Sequence, residues 1–172
     1  MIRTFAILVA ATAAIASPAL AAEGPTDPQI AHIAYTAGNI DIAAAKLALK
    51  KSNNKAVRAF ASEMVRDHEA VNDKALALVK KLNVTPAVNG TSASLQAQAD
   101  KTAKRLTALH GRAFDRAYAM NEVAYHKTVN GALKTTLIPS ANNGELKSLL
   151  ETGLTLFREH QAHAEHLAAM MK

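Results

Sequence analysis

Apolar side chains recur along most of the chain in alternating steps of four and three. One run places Val57, Ala61, Met64, Val71, Ala75, Leu78 and Leu82 on a single stripe, with His68 in its middle. A second reads Leu146, Leu150, Gly153, Phe157, Ala164, Leu167 and Met171, again with a histidine, His160, near its centre. That spacing is the buried face of a bundle helix. No run of period two survives beside it, so strands are not expected.

Turn and cap residues divide the pattern into elements. In "PTDPQ", Asp27 is the candidate N-cap and Pro28 the first helical residue of a helix over 28–51 that breaks at "KSNN". A second helix is predicted over 54–82, followed by the loop "NVTPAVNGTSAS" and a shorter polar helix over 94–109. Two more long helices follow, over 112–138 and 145–171, separated by "IPSANNG". Short turns within the first and last pairs make each an antiparallel hairpin. The middle connection is long enough to traverse the bundle. The expected fold is therefore all-α: a ferritin-like four-helix bundle with a long crossover containing a short extra helix.

Composition agrees. The 172 residues hold no Cys and no Trp, five Pro and seven Gly, which suits helices and excludes disulfides and thiolate metal sites. The first residues are a separate case. A basic start at Arg3, an apolar run from Phe5 to Ala16 and the A-x-A pattern Ala19-Leu20-Ala21 predict a signal peptide over 1–21. The bundle domain is then 22–172, exported to the periplasm. No later stretch has spanning length, so no transmembrane segment is expected in the mature chain. Without Arg3, 19 basic residues face 14 acidic ones. They are scattered and lack aromatic interleaving, so nucleic acid is not an expected partner; the simpler reading is a solvated basic surface, with peripheral contact with anionic envelope surfaces as the alternative.

The chemistry lies in the stripes. The first helix is expected to bury Ile33, Ala37, Ile40, Ala44 and Leu47, with Asp41 flanking them. The helix over 112–138 is expected to bury Phe114, Tyr118, Tyr125, Val129 and Ala132, with Glu122 and His126 one turn apart beside that stripe and Asp115 above them. Asp41, His68, Glu122, His126 and His160 all lie near the middles of their helices, so aligned helices bring them to one level. A buried charge or imidazole costs several kcal/mol unless paired or coordinated. Two readings follow: a metal site for Fe, Mn, Zn or Cu, or a hydrogen-bonded network that sets helix register and binds nothing. A di-iron centre of the ferritin type is not expected. It uses Glu-x-x-His on two helices, whereas Val65, Val123 and Phe157 stand three before the histidines. His163, next to the seam, is a candidate second ligand beside His160; His166, His32 and His110 are expected at the surface. Asp67, well off its seam, is expected to support a neighbouring ring or basic group.

The segments "IDIAAAKLAL", "VRAFASEMVRDHEAVN", "GRAFDRAYAMNEVAYHKTV" and "FREHQAHAEHL" resemble a large family of uncharacterised bacterial envelope proteins. Its members are commonly labelled outer-membrane proteins and grouped with ferritin-like folds. The resemblance spans about residues 29–169. It implies that Asp67, His68, Asp115, Tyr118, His126 and His160 are the motif positions, and it implies no reaction. Family members usually carry Glu where this chain has Asp41, and often a second acid where it has Ala43, so an oxygen-rich site is weakened. An all-helical chain is not an outer-membrane barrel. Three functions stay open: a periplasmic metal-binding bundle, a non-enzymatic envelope or stress protein with a structural polar core, and a ferritin-like redox enzyme.

Overall fold

The computed structural model describes residues 24–171; the expected signal peptide and its cleavage point lie outside the described residues. Helices α1 (Asp27–Lys51), α2 (Lys55–Lys81), α3 (Gly90–Thr107), α4 (Gly111–Ala132) and α6 (Gly144–Met170) account for most of these residues. A π-helical turn, Leu133–Leu137, and the three-residue α5, Ile138–Ser140, prolong α4. No strand occurs among the described residues.

Hydrogen bonds between helix ends fix the topology. Asn54 caps α2, its Oδ1 accepting from the backbone N–H groups of Ala56 and Val57 at 2.9 and 3.3 Å, so α1 and α2 form a tight hairpin. Asn83, at φ 53°, turns the chain out of α2. The loop then returns to the start of α1, where Ala87 N–H donates to the Pro28 carbonyl at 2.9 Å. From there α3 runs alongside α1 to its far end, where Lys51 Nζ donates to the Thr107 carbonyl at 2.6 Å. Helix α4 descends and α6 climbs back, ending with Met171 beside Asn54. The result is an all-α bundle of two antiparallel hairpins joined by one helical crossover. We call the end bearing the α1–α2 turn the upper end.

Several local expectations are corrected. Thr26, not Asp27, caps α1, with Gln29 Oε1 accepting from the Thr26 N–H at 3.0 Å. Asp27 instead accepts from the backbone N–H groups of Asn142 and Asn143, both at 2.8 Å, tying the start of α1 to the start of α6. Helix α3 begins four residues early because Asn89 caps it, accepting from Ser92 N–H at 3.0 Å. The rod that begins as α4 ends at Ser140, inside "IPSANNG" and two residues past the expected bound, so Pro139 lies within its last turn. A proline ring opposes the carbonyl four residues back and brings no N–H, and the chain absorbs both by widening into the π turn.

The core has two apolar clusters. The upper one holds Val57, Phe60, Met64, Leu106, Phe114 and Tyr118. The lower one holds Ile30, Ile33, Leu133, Leu137, Leu146 and Leu150.

Candidate metal centre

Between the clusters lies a polar layer. Asp41 comes from α1, His68 from α2, Glu122 and His126 from α4, and His160 from α6; all are at most 3 % exposed. The stripes of α2 and α6 lie as their periodicity predicts, with His68 and His160 central. Those of α1 and α4 are rotated. On α1 Ile33 is buried as expected, but further along the buried positions are Gly38, Asp41, Ile42, Ala45 and Ala48, so Asp41 sits in the seam rather than beside it. Ile40, Ala44 and Leu47 face the crossover instead, lining a groove with Leu95, Ala99 and Ala103 of α3. On α4, Glu122 and His126 occupy the core face with Tyr118, while Tyr125, Val129 and Ala132 are only half-buried.

The ring nitrogens are sorted by their partners. His126 Nδ1 lies 3.1 Å from the Glu122 carbonyl, so that nitrogen carries the proton and Nε2 is left as an acceptor. His160 Nε2 meets Asp67 Oδ2 at 3.1 Å, leaving Nδ1 without a partner. Neither nitrogen of His68 has a hydrogen-bond partner; its ring stacks on Phe157 with centroids 4.6 Å apart and planes within 10°. One nitrogen from each of the three rings lies within 4.8 Å of the others. Asp41 Oδ2 stands 3.6 Å from His68 Nε2 and 3.5 Å from His126 Nε2. These separations exceed a hydrogen bond. They are close to the edge, about 3.3–3.4 Å, of a tetrahedron of ligands around an ion bonded at about 2.0–2.1 Å.

Electrostatics keep the rings available. Burial pushes His68 down to about 3, helped by the other two histidines. Burial likewise takes His126 to about 4, against the bond to the Glu122 carbonyl. His160 is lowered by burial too, although Asp67 opposes it. Neutral imidazole is the form that binds metal. The carboxyls move the other way. Burial raises Asp41 to about 7, against the opposing pull of the neighbouring Glu122 carboxyl. Glu122 is pushed well above the carboxylate range by burial and by the Asp41 charge. Burial and the Asp41 charge together thus favour the protonated form of Glu122.

The surrounding residues fall into clear roles. Asp67 takes a bidentate Arg66 guanidinium at 2.7 and 3.0 Å as well as the His160 ring. His163 does not join His160 in the core: its ring is 59 % exposed and pairs with Glu63 at 3.2 Å, because a step of three from a central seam position turns it outward. His166 is exposed. Tyr118 and Asp115 are buried above the layer, and the Tyr118 hydroxyl and Asp115 Oδ1 find no partner. Two asparagines were not anticipated. Asn72 and Asn130 each lie four residues after a layer histidine and are buried on the same face. Asn130 Nδ2 donates to the Phe157 carbonyl and to Gln161 Oε1 at 3.1 and 3.0 Å, locking α4 to α6. That i+4 spacing after His68 and His126 was the available signal.

Fold and site together define a helical bundle with a buried histidine–carboxylate layer. The chain belongs to the family described as a domain of unknown function, DUF4142, whose profile matches residues 9–167. No curated protein matches it. Its fold is similar to a solved structure described as CopM in the Cu(II)-bound form, with a TM-score of 0.66 at 12 % identity. The similarity covers 87 % of this chain and 99 % of that one, and at that identity it concerns the fold alone.

Proposed function

We propose that the protein is an exported, periplasmic bundle that binds one divalent transition-metal ion in its core through Asp41, His68, His126 and His160. The observation that carries the reading is the geometry around Asp41 Oδ2, whose 3.5 and 3.6 Å separations from two free ring nitrogens are too long for hydrogen bonds and suited to a shared cation. A purely structural network would close its hydrogen bonds directly. Here Asp41, His68, His126 and His160 all keep partnerless buried atoms. Glu122 and Asp67 act behind the ligands, the Glu122 backbone carbonyl orienting His126 and the Asp67 carboxylate orienting His160, as such partners of metal-binding histidines commonly do.

Three imidazoles and one carboxylate suit Cu(II) and Zn(II) better than oxygen-seeking ions, and Cu(II) binds most tightly in the first-row series. The Cu(II)-bound state of the CopM structure supports testing copper first. With one buried acid beside another that stays protonated, a redox di-iron enzyme is not favoured, and the role we assign is binding rather than catalysis. The topology supports kinship with ferritin-like folds. A signal peptide over 1–21 with a bundle domain over 22–172, and peripheral contact of the basic surface with anionic envelope components, complete the proposal.

Titration calorimetry on untagged mature protein with Cu(II), Zn(II), Mn(II) and Fe(II) tests it. One ion is expected to bind with Kd below about 100 μM near pH 7.5, and His68→Ala and His160→Ala each to weaken it at least about tenfold. Binding also weakens as pH falls, since protons compete for the ligands. If no ion binds, or the two alanine variants bind as well as the parent, the site is structural.

A further inference from the structure

Below the polar layer the bundle is hollow. A cavity of about 360 Å³ lies among α1, α2, α4 and α6, with Leu95 of α3 at its side. Natural interiors are packed to crystal-like density with few voids larger than a water, so an opening of ligand size needs a cause. The cause is the choice of small residues on facing helices: Ala34, Ala37 and Gly38 of α1, Ala75 of α2, Gly153 of α6. Gly38 has a further task, since a Cβ there would stand 2.2 Å from Asn72 Oδ1 and displace the amide. Among the described residues, no Lys, Arg, Asp or Glu lines the space. Its walls are mostly apolar; the buried polar side chains His68, Asn72 and His126 stand at its upper end, and Tyr125, Thr91, Thr128 and Thr136 complete the polar lining.

We propose that this cavity binds an uncharged, hydrocarbon-rich molecule of medium-chain length whose single hydroxyl or carbonyl group hydrogen-bonds at the His68, Asn72 and His126 end. Length supports the assignment. From His126 to Leu137, both in the lining, the helix descends about 16 Å, the span of an extended chain of roughly a dozen carbons. Charge supports it as well. An ionised head would find no cation in the lining, and an anionic one would face the Asp41 carboxyl that stands 3.6 Å behind His68. A neutral hydroxyl or carbonyl can use the unpartnered nitrogens of His68, or the Asn72 amide, without that penalty.

The probe is N-phenyl-1-naphthylamine, a neutral apolar dye, titrated into full mature protein in EDTA so that the outcome is independent of metal binding. The expected result is saturable fluorescence at one dye per chain, displaced by 1-decanol and at least about tenfold more weakly by decanoate at about pH 8. Ala34→Leu and Ala75→Leu fill the space and should each weaken the dye about tenfold or more while the melting temperature holds or rises. Gly153→Ala, the mildest filling, should give a smaller loss with an intact fold. Absence of saturable binding, or folded filling variants that bind like the parent, overturns the site. Decanoate competing as well as decanol overturns the uncharged ligand.

Discussion

The two halves of the bundle bury their helices by different means. Above the polar layer the seam is filled with aromatic and branched side chains. Phe60 meets the Tyr118 ring edge-on and Phe114 stacks over Tyr118, each pair 6.2 Å between centroids. Val57, Ala61 and Met64 are fully enclosed there. Below the layer Ile30, Ile33, Leu133, Leu137, Leu146 and Leu150 are buried around a cavity of about 360 Å³, left where Ala34, Ala37, Gly38, Ala75 and Gly153 face it. The histidine layer therefore meets a tightly packed block above, and below it the Phe157 ring and the cavity. Packed interiors resist displacement, whereas rings bordering a cavity can turn. That asymmetry suits the proposed metal site, whose ring nitrogens, spread over as much as 4.8 Å, would draw together around an ion.

The comparison breaks first on core truncation. Phe114 is wholly enclosed, and Phe114→Ala should cost about 3–5 kcal/mol of unfolding free energy in urea denaturation. Leu150 borders the cavity, has fewer partners to lose, and Leu150→Ala should cost only about 2 kcal/mol, the low end of the range for that change. Equal losses would mean that the lower half is as tightly supported as the upper.

Acid–base linkage in metal-free protein gives the next effect. Asp41 rises from 3.8 to about 7 on folding, so between those values the folded chain binds more protons than the unfolded one and stability falls as pH rises. His68 and His126 drop from 6.5 to about 3 and 4, so the unfolded chain binds more protons in that window and stability falls as pH drops. The two slopes oppose each other from about pH 4 to 6.5. Single substitutions separate them. Asp41→Asn should stabilise the protein above pH 7 by about 2 kcal/mol, half the full linkage because the titrations of Asp41 and Glu122 depend on each other. His68→Leu should flatten the loss below pH 6. Melting curves across pH 4 to 8.5 in chelator measure both, and an Asp41→Asn variant no more stable than the parent at pH 8 would show that the Asp41 carboxylate is compensated by a group other than Glu122.

Much of this arrangement was legible in the sequence, and the part that was not has a common cause. Periodicity located the helices and the stripes of α2 and α6, where one histidine interrupts an otherwise apolar row. It misplaced the stripes of α1 and α4 because the most apolar face was taken as the core face. On α1 that face is divided between the bundle and α3, so Ile40 and Leu47 serve the crossover while Asp41 takes the seam. On α4 the core face is itself polar, carrying Asp115, Glu122, His126 and Asn130. The hollow could not be read at all. A small residue in a stripe reads the same whether a neighbour fills the gap or leaves it open, and only facing helices decide that.

The smallest expected effects lie at the lower end, where the hollow half is closed by two kinds of charged contact. Asp27 gives both carboxylate oxygens to backbone N–H groups at the start of α6, beside Asn143, which caps that helix in turn. Charge-assisted bonds to orphan helix donors are worth more than solvent-exposed pairs, so Asp27→Ala should cost about 1 kcal/mol. Lys81 and Glu145 join the end of α2 to the start of α6, with side chains 65 % and 52 % exposed. An exposed pair of this kind gains little over hydration and is screened by salt, so Lys81→Ala should cost less than about 0.5 kcal/mol and nothing measurable at about 1 M salt. Urea denaturation of both variants at low and high salt ranks the two contacts. If Lys81→Ala costs as much as Asp27→Ala in high salt, the lower end is held by its surface charges, and the cavity above it depends on them.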